Sequence, residues 1–338
     1  MTLWRPRRTN AGTQRVQRSI EERQLVRVTA TSLVAEATML LRLEPVGPQP
    51  LAPFSAGAHI DVHLGDGMTR QYSLIGAPGA SDSYLICVRR DSRGRGGSIV
   101  IHDDVSSGAR LQISPPRNTF SLIPDTTALL LGGGIGLTPL VSMAETLHAN
   151  DAEFELHVYA RSAAALPLRE HLLERPWADR LHTHFSEQGD SFRAAAPAAL
   201  SAPDRRRMIY VCGPEGFVEL ARRRASTSGW GNDQVRSEQF TVGNVVRDAD
   251  SSFDVVATST GERMTISSHE SIADVLERHG YETYRSCGQG YCGSCVMAVR
   301  SGNPDHRDAS QTAQEHISGG LINVCVSRSL SPVLELEV

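Results

Sequence analysis

The sequence predicts a multidomain chain: an antiparallel β-barrel, then an α/β domain on a parallel sheet, then a small α+β domain. Three observations carry this. Apolar positions alternate in short runs up to about residue 123, short apolar runs then alternate with helical stretches, and four of the six cysteines crowd toward the C-terminus. At 338 residues the chain can build two or three separate cores. With 40% apolar and 21% charged residues it is neither collagen-like nor mainly disordered nor a coiled coil. No uninterrupted apolar run reaches the roughly 18 residues of a membrane span.

Residues 1–23 read as a flexible Arg-rich arm. Residues 1–28 hold seven Arg against Glu21 and Glu22; those acids interrupt a transit-peptide pattern, and no apolar stretch suggests secretion, so a cytoplasmic location is expected.

The barrel is expected over 24–123. Gln24–Ala30, Ala58–Leu64 and Tyr84–Arg90 alternate apolar and polar positions, the period of strands with one buried face. Within this region Arg70-Gln71-Tyr72-Ser73-Leu74 supplies a guanidinium fork, an aromatic face and a hydroxyl in five residues. Gly94-Arg95-Gly96-Gly97-Ser98 opens a predicted helix, Ile99–Val105, whose bare first amides suit a phosphate. Turn residues thicken at Ser114-Pro115-Pro116-Arg117-Asn118, and the pattern changes after the Pro124-Asp125 turn.

The α/β domain is expected over 124–243. Ala128–Leu131 precedes a helix at Leu137–Ala149, Glu153–Tyr159 one at Pro167–Leu173, and Met208–Cys212 one at Glu215–Ser226. Such alternation builds a parallel sheet covered on both faces. Gly132, Gly133, Gly134 and Gly136 run from a buried strand into a helix, so their amides can receive a pyrophosphate, although Leu137 stands where a dinucleotide fingerprint wants its third glycine. Ile209-Tyr210-Val211-Cys212-Gly213-Pro214 is a second strand ending in Gly-Pro before a helix. After Tyr159 comes Ala160-Arg161-Ser162, with no acid to hold a ribose hydroxyl, and Arg161 is suited to a phosphate there.

The last domain, 244–338, opens with a polar linker, continues with a hairpin of Phe253–Ala257 and Arg263–Ile266 and a helix at Ile272–His279, and then carries a cysteine loop. Cys287-x4-Cys292-x2-Cys295 with the distant Cys325 is the plant-type spacing for a 2Fe-2S cluster. Structural zinc is the alternative, but zinc sites favour paired Cys-x2–4-Cys units and only one such pair exists here. Gly288, Gly290 and Gly293 suit a loop whose amides approach the sulfurs. His59 with His63, and His182 with His184, share strand faces but have no third ligand near in sequence, so they read as structural.

Residues 286–295 resemble plant-type ferredoxins in their Cys and Gly positions, which implies a ferredoxin-like β-grasp fold. The glycine turn and Cys-Gly-Pro resemble the nucleotide domain of the ferredoxin–NADP reductase superfamily, and Arg-x-Tyr-Ser its flavin barrel. The order of the three domains over residues 24–338, with Asn303-Pro304-Asp305-His306-Arg307-Asp308 after the cluster loop, resembles the phthalate dioxygenase reductase family.

That resemblance implies FMN, a 2Fe-2S cluster and NADH as cofactors. It assigns Arg70, Tyr72, Ser73, Leu74, Val88, Arg89, Arg90, Gly96, Gly97, Ser98, Thr138 and Phe240 to the flavin, and Gly132, Gly133, Gly134, Gly136, Arg161, Cys212, Gly213 and Pro214 to the nicotinamide dinucleotide. Ser73 and Cys212 are the expected catalytic pair, beside flavin and nicotinamide respectively. Electron counting explains their shared chain: nicotinamide yields two electrons as hydride, a cluster takes one, and flavin converts between them. The implied partner is a Rieske-type oxygenase. Delivery to a haem monooxygenase and a redox-sensing module are the alternatives. Neither a nucleic-acid nor a membrane partner is expected, since no domain is basic.

Overall fold

The computed structural model describes residues 23–65, 68–79, 82–92, 94, 96–240, 250–285, 288, 290, 293–308, 310–311 and 313–338. Two compact units hold them, one within 24–241 and one within 242–338. The arm up to residue 22, and the segment 241–249 in which the third domain is expected to start, lie outside the described residues.

In the first unit, β1 (Gln24–Ala35), β2 (Thr38–Pro45), β3 (His59–His63), β4 (Thr69–Ser73), β5 (Tyr84–Arg89) and β6 (Arg110–Ile113) form one sheet in the order β4-β3-β6-β1-β2-β5. All its pairings are antiparallel. The sheet curls until its edges approach through a single bridge, Ile75 with Leu85. Its inner face buries Val26, Val28, Leu41, Leu43, Ile60, Val62, Ile86 and Ile113, each such side chain contributing about 1.5–3 kcal/mol. Helix α1 (Gly97–Asp104) closes one end by burying Ile101. Sequence period alone does not disclose β2, because Met39-Leu40-Leu41 is a continuous apolar run inside it.

The same unit carries a parallel sheet of β7 (Thr127–Gly133), β8 (Phe154–Ala160), β9 (Leu181–Phe185), β10 (Arg207–Cys212) and β11 (Val235–Glu238), ordered β11-β10-β7-β8-β9. The 124-residue boundary expected from sequence falls between β6 and β7. Helix α2 (Leu137–Ala149) packs its Leu140, Val141, Met143 and Leu147 on the face of Leu130, Leu156 and Val158. A short α3 (Arg169–Leu173) follows β8, and α4 (Glu215–Thr227) covers the opposite face of Leu129, Leu131, Ile209 and Val211. Alternate residues of β7 and of β10 thus feed opposite cores, as a doubly covered sheet requires.

The second unit holds β12 (Phe253–Ala257), β13 (Arg263–Ile266), α5 (Ile272–Arg278), β14 (Val296–Ser301), β15 (Pro304–Asp305), α6 (Ala313–Ser318), β16 (Leu321–Asn323), β17 (Arg328–Ser329) and β18 (Val333–Leu336). Its five-stranded sheet runs β13-β12-β18-β14-β16, with β12 and β18 parallel. Ser271 caps α5 through the Asp274 amide at 3.1 Å, and the helix buries Ile272, Val275 and Leu276 against the sheet. Arg307 anchors the entry to this unit: it donates to Asp250 at 2.8 and 2.6 Å and to Asp305 at 2.7 Å, with Arg307 and Asp250 both nearly inaccessible.

Candidate functional site

Three candidate sites arise, and each is built by backbone approach before any side chain acts. In the second unit Cys295 precedes β14 and Cys325 follows β16; both are buried, with their sulfurs 2.9 Å apart. Residues thirty positions apart meet because β14 pairs with β16. Cys287 and Cys292 lie outside the described residues. The cysteine loop supplies the expected glycines: Gly288, Gly290 and Gly293 all have positive φ, and a Cβ on Gly290 would stand 2.6 Å from Val326 Cγ2 and 3.1 Å from Asp308 Cα. Two converging buried thiols and a close-packed glycine loop fit a cluster held by four cysteines. Behind them, the fully buried Asp308 carboxylate accepts from the Gln311 amide at 2.9 Å, and Asn323 donates to Ser310 Oγ at 2.8 Å.

The second site lies where β4 meets α1. A Cβ on Gly97 would sit 2.5 Å from Arg70 Cγ and Nε, so the Arg70 side chain lies flat against the first residue of the helix. Gly96 precedes it at φ +81°, and no side chain caps the helix. A guanidinium and uncapped amides at one point form an anion cradle, which fits a flavin phosphate. The neighbouring residues divide. Ser73 is buried at the end of β4, and burial pushes the Tyr72 phenol up so that it stays protonated. Ser98 Oγ accepts from the Asp91 amide at 3.0 Å, which pins the turn before the helix. Arg90 pairs with Asp103 at the far end of α1, while Arg89 is exposed at the end of β5. Leu74 and Val88 belong wholly to the barrel core, leaving their main chains alone for any ligand. Thr138 Oγ1 donates to the Ile135 carbonyl at 2.9 Å at the start of α2, and Phe240 packs against the core between α2 and the parallel sheet.

The third site is the carboxyl end of the parallel sheet. Gly132 and Gly133 are the last residues of β7, and Gly134–Gly136 form a single 3₁₀ turn into α2. A Cβ on Gly136 would run into the Cys212 carbonyl and stand 2.6 Å from the Gly213 amide nitrogen; one on Gly133 would meet Pro214 at 3.0 Å. Gly134 alone faces open space, at φ +56°. The glycines therefore let two strand-to-helix turns press together, and the uncapped starts of α2 and α4 share that end. Positive helix ends beside a bare glycine turn fit a pyrophosphate.

Cys212 is fully buried there. Opposite it in register stands Glu238, which sequence reasoning missed. Burial lifts the Glu238 carboxyl to about 8, and burial followed by the Glu238 charge pushes the Cys212 thiol well up. The thiol is thus neutral and not a thiolate nucleophile. Glu238 Oε2 has no hydrogen-bond partner among the described residues. Its only sequence signal is its place two residues before Phe240, since Val235-Arg236-Ser237-Glu238 has too little alternation to announce a strand.

Arg161 leaves β8 one strand from the glycine turn, where Gly133 pairs with Tyr159. Its guanidinium is engaged by Glu36 at 3.0 Å and Glu187 at 3.2 Å. The histidines of β9 also have a third neighbour that sequence distance hid. Donor atoms of Glu155, His157 and His182 lie within 4.8 Å of one another. His157 Nδ1 meets His184 Nε2 at 3.0 Å, the His157 and His182 rings stack, and Arg207 reaches Glu155 at 3.5 Å.

Over residues 257–330 the chain matches the family of 2Fe-2S iron-sulfur cluster binding domains. It is 42% identical over 290 residues to the vanillate O-demethylase oxidoreductase of Pseudomonas putida, covering 85% of this chain and 91% of that one. It resembles the solved structure of phthalate dioxygenase reductase with a TM-score of 0.74 and 31% identity, over 94% of this chain and 99% of that one. It also resembles an intact type IV self-sufficient cytochrome P450 monooxygenase with a TM-score of 0.77 and 29% identity, over 94% of this chain and 41% of that longer one.

Proposed function

The chain belongs to the phthalate dioxygenase reductase family, and from that membership we propose which residues do its work, which flavin it holds and which oxygenase it serves. It is an electron-transfer oxidoreductase, the component that passes electrons from NADH through a flavin and a 2Fe-2S cluster to an oxygenase. When bound, a flavin supplies the conversion of one hydride into two single electrons. The flavin we assign is FMN, the one that the order of the domains implies, and Arg70 with the first amides of α1 offers a cradle for its phosphate. That contact between Arg70 and Gly97 carries the reading.

The residues then have distinct tasks. Arg70, Gly96 and Gly97 hold the phosphate; Tyr72, Ser73 and Phe240 orient the flavin ring, with Ser73 at its reactive edge. Gly134 and the starts of α2 and α4 receive the pyrophosphate, while Cys212, kept neutral by burial, lies beside the nicotinamide as an unreactive group. Cys287, Cys292, Cys295 and Cys325 ligate the cluster. Labour divides as 24–123 for flavin, 124–243 for NADH and 244–338 for the cluster. Among the described residues no helix is long and apolar enough to cross a membrane, and we place the protein in the cytoplasm.

The oxygenase we assign is of the Rieske type, supported by likeness to reductases named for a demethylase and a dioxygenase. A haem monooxygenase is the second reading, favoured by the likeness to the P450 fusion. Anaerobic absorbance titration of the purified protein with NADH, then NADPH, tests the scheme. NADH should bleach both flavin and cluster bands; protein lacking iron and acid-labile sulfide after anaerobic preparation would sink it.

A further inference from the structure

The end of β8 poses a contradiction that the trio around Arg161 resolves. In a parallel nucleotide-binding sheet, the residue leaving the strand beside the glycine turn reads the 2′ position of the adenosine ribose. An acid there holds the NADH hydroxyl, whereas an arginine accommodates the NADPH phosphate. This chain carries Arg161, yet it is assigned NADH.

The guanidinium is not available as a lone cation. Its Nη2 meets Glu36 Oε2 at 3.0 Å and its Nε meets Glu187 Oε1 at 3.2 Å. Each carboxylate is held in place by backbone from the Arg161 segment: the Glu187 amide donates to the Arg161 carbonyl at 3.1 Å, and the Glu36 amide to the Ala164 carbonyl at 3.0 Å. Glu36 occupies the turn between β1 and β2, immediately before Ala37 at φ +51°. All three side chains are more than half exposed, at 65%, 53% and 55%, so an incoming nucleotide can reach them. The trio sums to one negative charge, so a 2′-phosphate of about two negative charges at pH 7 meets repulsion where a free arginine would attract it.

We infer that Glu36 and Glu187 are specificity-determining residues that select NADH over NADPH by occupying Arg161 at the adenosine ribose site. The inference rests on the assignment of the parallel sheet to the dinucleotide and adds which residues discriminate. Exposed pairs of this kind contribute little to stability, so glutamine replacements should leave the fold intact.

The test uses the holoprotein, with stopped-flow reduction of its flavin by NADH and by NADPH. In the double variant Glu36→Gln/Glu187→Gln the ratio of NADPH to NADH efficiency should rise about tenfold, through a lower apparent Kd for NADPH. Adding Arg161→Ala should abolish that gain, and salt should erode it. As a readout independent of turnover, 2′,5′-ADP should gain affinity over 5′-AMP in the double variant and lose it in the triple. An unchanged ratio in a variant that NADH still reduces would overturn the inference alone. So would a gain that survives removal of Arg161. Wild-type holoprotein whose flavin neither nucleotide bleaches would overturn the functional reading together with it.

Discussion

Cys212 and Glu238 stand opposite each other in the pairing of β10 with β11, both buried at the end of the sheet. The burial of Glu238 there makes a pH dependence. Burial lifts the Glu238 carboxyl from its ordinary range to about 8, so between those values the folded chain keeps a proton that the unfolded chain has released. The contribution is whole below the ordinary carboxyl range and is lost as pH rises to about 8, at no more than about 1.4 kcal/mol per pH unit. Urea unfolding from pH 5 to 9 should show stability of the first unit declining with pH, and Glu238→Gln should flatten that decline. A slope unaltered by the substitution would remove Glu238 as its source.

Gly136 and Gly134 should respond oppositely in kind although they lie in one turn. Alanine at 136 drives its methyl into the Cys212 carbonyl, main chain against main chain, so the two turns must separate. Alanine at 134 meets nothing within 4 Å and bears only the strain of φ +56°, about 1–2 kcal/mol. Gly136→Ala should raise the Kd for NADH at least about tenfold or unfold the sheet, since a displacement of about 1 Å can cost a hundredfold. Gly134→Ala should leave the two turns packed and the sheet folded, with a modestly lower Tm, and weaken NADH only through its methyl at the pyrophosphate. A Gly136→Ala protein as stable as Gly134→Ala would contradict the abutting-turn account.

The alternation of Phe253–Ala257 and Arg263–Ile266 made the second unit's hairpin legible, and cysteine spacing disclosed its chemistry without any fold at all. Strand period failed where burial is two-sided or absent: β2 begins with a continuous apolar run, and β11 has almost none. The site residues read from motifs were local in sequence, as Arg70 to Ser73 are. Those missed act across distance. Glu36 lies 125 positions from Arg161, and Glu238 becomes unusual only because β11 buries it at the end of the sheet. The glycine run carries a second meaning, since Gly133 and Gly136 also serve turn-to-turn packing.

Arg307 and Asp250 form a buried pair whose two members should not tolerate separate removal. Arg307→Ala would leave the Asp250 carboxylate enclosed with fewer donors, at a cost of about 3–5 kcal/mol. Replacing both by apolar residues of similar volume should restore much of that loss, because the pair's desolvation is then avoided. Thermal unfolding followed at the cluster's visible absorbance would report this. A double variant as unstable as Arg307→Ala would show that the pair matters for more than charge compensation.

The serial order of the sites can be separated at Cys325, whose sulfur converges on that of Cys295. Cys325→Ser should impair cluster retention, yet NADH should still bleach the flavin, because the barrel and parallel sheet belong to the other compact unit. Ferricyanide reduction should persist while cytochrome c reduction and oxygenase turnover collapse. Loss of both activities in a folded variant that retains flavin would refute the order.

Charge at the exit should govern the encounter with the oxygenase. Residues 250–338 hold twelve acids and six arginines. All six arginines are paired with carboxylates: Arg263, Arg278, Arg285 and Arg300 within the sheet and helix surface, Arg307 and Arg328 near Asp250. The acidic excess is therefore uncompensated at the surface, where Glu282 and Glu335 are exposed. A field of one sign steers a basic partner, and added salt shortens the screening length from about 10 Å at 0.1 M to about 3 Å at 1 M. Second-order electron transfer to the oxygenase should fall with ionic strength, and Glu282→Gln with Glu335→Gln should shallow that dependence. Flavin reduction by NADH should change far less, since it precedes the encounter. A flat or rising stopped-flow rate constant across the salt series would eliminate steering while leaving the electron route in place.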